Sequence, residues 1–89
     1  MKVKNMTSAK GNKIANQFII VDDNNDETFQ SYNSVIAKKI HNGLIYLDET
    51  YWDYSSTTGK YRNQFLGEGI ADTRKKIKSG EYILTDLNS

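Results

Sequence analysis

A chain of 89 residues makes one domain with a thin core, because at this length only about 60–65% of the unfolded surface is buried. Hydrophobic residues make up 37% and charged residues 26%, the balance of a folded domain rather than a disordered one. With no cysteine, disulfide scaffolds, cysteine-based zinc sites and thiol nucleophiles are excluded together, and a net charge of +1 neither demands nor excludes a nucleic-acid partner.

The chain opens MKVKNMT, basic and with no apolar segment behind it. The longest apolar run, Phe18-Ile19-Ile20-Val21, is far too short to cross a membrane or form the core of a signal peptide. An intracellular protein with its own initiator methionine is therefore expected. Lys2–Met6 reads as a short first strand, and the small polar segment Thr7–Lys13 around Gly11 as a loop. Asn16–Val21 is the strongest strand, since aromatic and β-branched residues follow one another without a break. Such a run implies burial on both faces, or one face on the core and the other on a partner. Asp22–Asp26 is then a turn, and Thr28–Tyr32 returns with Phe29 and Ser31 on one face and Thr28, Gln30 and Tyr32 on the other.

Val35–His41 and Leu44–Asp48 flank Asn42-Gly43, a pair suited to a two-residue type I′ turn. Such a loop pairs Ile40 with Ile45, Lys39 with Tyr46 and Lys38 with Leu47. Ile36, Ile40, Ile45 and Leu47 then line the core face, and Lys39 stacks on Tyr46 outside. Next comes YWDYSSTTGKYRNQFLG, Tyr51–Gly67, which holds the only Trp and three of the six Tyr. Ser55, Ser56 or Thr57 can cap a helix that turns Tyr61 and Phe65 inward and Lys60, Asn63 and Gln64 outward, with Gly67 as its stop. Ile70–Ser79 is a second helix, with Ile70, Thr73 and Ile77 on one side, an Asp72–Lys76 pair outside and Gly80 at its end. Glu81–Leu87 is a final strand. The fold class is α+β: a small antiparallel sheet of four to five strands, two hairpins plus a C-terminal strand, with two short helices packed on one face.

No pattern here marks a catalytic group, a metal site or a cofactor. Asp22, Asn24 and Asp26 occupy alternate positions of a calcium loop, but Glu27 stands where glycine is required and Asn33 where the bidentate glutamate belongs. Thr58-Gly59-Lys60 resembles the end of a P-loop, yet the first glycine is missing and Tyr61 replaces the magnesium-binding hydroxyl. His41 is the only histidine and sits beside a turn. Binding is a different matter. Trp52, Tyr54 and Arg62 are the residue types of interface anchors, although aromatics in so small a domain more often fill the core. Lys60, Arg62, Arg74, Lys75, Lys76 and Lys78 can contact phosphates, although a charge run is usually a solvated helix face.

The segments GNKIANQFII, TFQSYNSVIA, YWDYSSTTGKYRNQFLGE and TRKKIKSGEYILTDLN resemble a small domain family widespread in bacteriophage genomes and carried as a domain of unknown function. The resemblance covers roughly residues 7–88. It implies a phage or prophage origin and the cytoplasm of the bacterial host, and it brings no catalytic residues. The expected function is a non-catalytic module that binds a host protein, inhibition of a CRISPR or other defence system included, with self-association as another use of the same faces. The competing expectation is a nucleic-acid or nucleotide-binding module built on the basic helix face.

Overall fold

Five strands follow one another as a meander, each antiparallel to the last: β1 (Lys2–Thr7), β2 (Lys13–Val21), β3 (Glu27–Ser31), β4 (Ser34–Lys39) and β5 (Ile45–Asp48). The chain then passes through two helices, α1 (Ser56–Leu66) and α2 (Ile70–Ser79), before β6 (Tyr82–Thr85) joins beside β5 and parallel to it. The computed structural model describes residues 1–89, and the sheet order is β1-β2-β3-β4-β5-β6. The α+β class is thus as expected, but the sheet has six strands and is mixed. The helix pair is the reason. It carries the chain back to the starting end of β5, and a long crossover of this kind makes a parallel neighbour where a tight turn makes an antiparallel one. No helix is long and apolar enough to cross a membrane.

The Asn-Gly turn differs from the sequence expectation by one residue. Ile40 pairs with Leu44 by a 2.8 Å backbone bond, so the loop is His41-Asn42-Gly43, and Gly43 (φ 99°) rather than Asn42 takes the left-handed conformation. The register becomes Lys39 with Ile45, Lys38 with Tyr46 and Ala37 with Leu47. Asp26 supplies the cause, because its carboxylate accepts from the His41 amide at 2.9 Å and lies 3.0 Å from the ring Nδ1. That clamp from the neighbouring turn favours the longer loop over a type I′ turn. A slip of one residue exchanges faces. Lys38, not Lys39, stands opposite Tyr46, while Lys39 turns inward. Its ammonium donates to the Phe65 carbonyl at the C-terminal end of α1 and lies 4.4 Å from the Phe65 ring centroid. A cation at that helix end is favoured by the dipole. Ile40, expected on the core face, instead closes the loop.

Between β3 and β4 the register shifts once more, so Ile36 is an extra residue and both it and Ala37 are fully buried. A bulge permits this where strict alternation would not. Tyr32, expected in the strand, sits in the turn with φ 55°, held by donation from its N–H to the Asn16 carbonyl at 2.7 Å. The Phe18–Val21 run is buried on one side only. Ile19 faces the helices, whereas Phe18 and Ile20 lie half-buried on the open face of the sheet.

Nine apolar side chains make the core, with Phe29, Ile36, Ala37 and Leu47 fully enclosed and Tyr61 and Phe65 of α1 closing over them. Each large one contributes about 1.5–3 kcal/mol. At one end of this core the layer turns polar. Gln17 stands opposite Ser31, whose hydroxyl meets Thr58 Oγ1 at 2.9 Å, and all three are fully buried. Neither side-chain atom of Gln17 reaches a hydrogen-bond partner in the chain. An unpaired buried amide costs about 1–3 kcal/mol. Gln17→Met, similar in volume, is therefore expected to stabilise the fold by about 1–3 kcal/mol, read as a higher urea midpoint at unchanged m-value. A lower midpoint would show that the amide has a partner after all.

Candidate functional site

Asp48, the last residue of β5, sets up the stretch that carries the candidate residues. It is 1% exposed, and its carboxylate accepts from the amides of Thr50 (3.0 Å), Tyr51 (2.8 Å) and Leu87 (2.8 Å). Burial pushes its carboxyl up, but donation from the Leu87, Tyr51 and Thr50 amides outweighs this and holds it below the usual carboxylate range. The bend places Trp52 half-buried against the core and brings Tyr51 and Tyr54 edge-to-face, with ring centroids 5.4 Å apart. Tyr54 remains 46% exposed. Ser55 then caps α1, its hydroxyl accepting from the Thr58 amide at 3.1 Å.

Arg62 locks this bend to α1. It is the largest fully enclosed side chain in the protein, at 2% exposure. Nη1 donates to the Trp52 carbonyl (2.9 Å) and to Asp53 Oδ1 (3.0 Å), and Nη2 donates to Asn63 Oδ1 (3.0 Å). The guanidinium also lies over the Trp52 ring, 5.4 Å from its centroid. A lysine reaches none of this fork geometry with one point charge. Asp53 in turn faces Arg74 of α2 across 3.5 Å. A shallow groove of about 700 Å³ opens in front, lined by ten residues that include Tyr54, Ser56, Gly59, Lys60, Arg62 and Arg74.

The eight candidate residues therefore divide. Tyr54, Lys60, Arg62 and Arg74 share the groove, with Trp52 behind Arg62. Lys75 and Lys78 are exposed elsewhere on α2. Lys76 does not pair with Asp72 as the helix spacing suggested. Its ammonium donates to Glu68 Oε1 at 2.6 Å, and Tyr82 Oη donates to the same oxygen at 2.7 Å, while Thr73 Oγ1 donates to Oε2 at 2.7 Å. Glu68 precedes α2, so its carboxylate reaches farther into the α2–β6 seam than Asp72 on the outer face. Burial pushes the Glu68 carboxyl up, and the Lys76, Thr73 and Tyr82 donors overcome it and hold it low. Burial and then Glu68 push the Tyr82 phenol up to about 12. The hydrogen bond to Glu68 raises Lys76 above its ordinary range.

Sequence reasoning missed Asp53 and Glu68, and it turned Asn63 outward, where the structure has it half-buried and accepting from Arg62. The Asp next to Trp52 and the Asn next to Arg62 were the only local hints of this network, and nothing local pointed to Glu68. In the acidic turn, Asp22 Oδ1 is occupied by the amides of Asn24 (2.9 Å) and Asp26 (3.1 Å), which makes it a turn cap.

The chain belongs to a family of unknown function, DUF8033, whose family model matches residues 1–83. No curated protein and no solved structure matches it.

Arg62→Ala is expected to cost about 3 kcal/mol, from an enclosed cavity plus an orphaned carbonyl and carboxylate, and Arg62→Lys about 1–2 kcal/mol; chemical denaturation checks both. The carboxylates dictate the acid limb. Glu68 and Asp48 have folded pKa values below their ordinary 4.5 and 3.8, so the folded state binds fewer protons. Their contribution is full above about pH 4.5 and is lost as pH falls through the folded values. Glu68→Gln should flatten that part of the profile in urea midpoints measured between about pH 6 and 3; an unchanged profile would remove Glu68 from the account.

Proposed function

We propose that the protein is a non-catalytic binding module that engages a partner protein through the face around the α1 groove. The supporting observation is Tyr54. It stands 46% exposed at the groove, braced edge-on by Tyr51, with Arg74 and Lys60 on the same lining. A tyrosine held rigid by its neighbours and flanked by arginine loses little rotamer freedom on binding, and such residues carry a disproportionate share of interface energy. The buried Arg62 fork keeps the bend in place without a partner, so the face is built before binding.

The resemblance to phage-borne domains sets the reading in context: a phage or prophage product in the cytoplasm of the bacterial host, acting on host machinery, with CRISPR and other defence systems as target classes. The competing nucleic-acid reading draws on the cations Lys60, Arg62 and Arg74 in the groove. The basic helix face does not extend that cluster, since Lys76 is drawn to Glu68.

Affinity capture of the tagged protein from a bacterial host, with and without nuclease, separates the two. The protein-binding reading expects a defined protein that survives nuclease, is lost with Tyr54→Ala or Arg74→Ala, and is kept with Lys78→Ala. Both groove variants should melt with the parent, and each should weaken binding by about 2 kcal/mol, roughly 30-fold. Recovery of nucleic acid alone, abolished by nuclease, would sink it.

A further inference from the structure

Resting on that binding reading, we propose that the α1 groove is a receptor for a single oxyanion, a carboxylate or phosphate group presented by the partner protein. Charge is the first argument. The lining contains Lys60, Arg62 and Arg74 against one carboxylate, Asp53. The second is the helix end that opens on it. Ser55 and Ser56 line the groove, and the first turn of α1 has no acidic residue. The first N–H groups of a helix have no intrahelical acceptor, and the Ser55 hydroxyl satisfies only that of Thr58. The Ser56 amide at the groove thus adds its partial positive charge to three cations, an arrangement that an anion relieves.

The third argument is independent of the helix end. Arg62 lines the groove although it is 2% exposed, and its Nε has no acceptor within the chain. Arg74 supplies the adjustable group. Its contact with Asp53 is long, 3.5 Å against 3.0 Å for Arg62, and its side chain is 66% exposed, so it can turn onto a ligand without disturbing the fold. A bidentate guanidinium suits the two oxygens of either group.

The ligand is a single group rather than a polyanion track. A nucleic-acid backbone is bound by a row of cations, each neutralising a successive phosphate. Here Lys75 and Lys78 lie outside the groove and Lys76 is committed to Glu68, so the cluster does not continue along α2.

The test is titration of the ¹⁵N-labelled protein with inorganic phosphate at low ionic strength, followed by ¹H–¹⁵N spectra. The expected result is a set of shifts confined to the Ser56, Thr57 and Thr58 amides and to the Arg62 and Arg74 Nε–H signals. The apparent Kd should rise at least about tenfold in Lys60→Ala/Arg74→Ala and stay unchanged in Lys78→Ala. A glutamate-bearing and a phosphoserine-bearing peptide, titrated in the same way, identify which source of the oxyanion is preferred. Absence of localised shifts at millimolar phosphate would overturn the proposal. So would shifts that persist in the double variant. Tighter binding of an oligothymidylate with a salt slope of several units would overturn it in favour of a nucleic-acid track. The two readings fail separately. Phosphate shifts with no protein captured would leave the oxyanion site and remove the protein partner. Capture that depends on Tyr54 without phosphate shifts would do the reverse.

Discussion

A guanidinium taken out of water holds the aromatic face of this small protein together. Arg62 gives up its hydration and recovers it from the Trp52 carbonyl, Asp53, Asn63 and the Trp52 ring. A buried charge of this kind is tolerated only when it is both paired and hydrogen-bonded, and its value lies in specifying one geometry. Here that geometry is the bend from Trp52 to Ser55, where no strand or helix ladder fixes the backbone. Those contacts tie the aromatic stretch to α1 and form the back of the groove.

Carboxylates do the same work at other junctions. Asp48 binds the end of β5 to the aromatic bend and to the C-terminal tail through three amides. Glu68 collects Lys76, Tyr82 and Thr73 and so ties the helix connection to α2 and β6. Asp26 joins two neighbouring turns through His41, and the His41 hydrogen bonds hold its carboxyl below the usual range. With nine apolar residues in the core, there is little hydrophobic area left to define the loops. Buried or half-buried acceptors supply that definition instead, and acid weakens all three nodes in the same direction.

The division of charge follows from these nodes. A lysine that pairs inward is withdrawn from the surface field, and an arginine that pairs loosely stays on it. Lys39 and Lys76 belong to the first kind, Arg74 to the second. The basic stretch 74–78 is therefore not one patch. Its arginine joins the groove at the head of α1 while its lysines point to other surroundings, so the chain concentrates positive charge at one place instead of spreading it along a helix.

Local chemistry determined a good deal by itself. The Ile70–Ser79 helix, the Gly67 and Gly80 stops, a cap at Ser55, Ser56 or Thr57, the Asp22–Asp26 turn and the inward Tyr61 and Phe65 were all legible, because caps, αL glycines and helical spacing act within a few residues of themselves. The aromatic stretch and its cations were legible as a list of candidates. Tertiary contacts decided the rest. Asp26 lies 15 residues from His41, and its clamp lengthened the Asn-Gly loop and moved the register by one. The helix crossover made β6 parallel. Arg62 became a buried fork only because Trp52, Asp53 and Asn63 converge on it, and Lys76 left its helical partner because Glu68 offered a better enclosed acceptor. Periodicity says which face a residue is on; it does not say which distant carboxylate or carbonyl will stand there, because that depends on how separate elements pack.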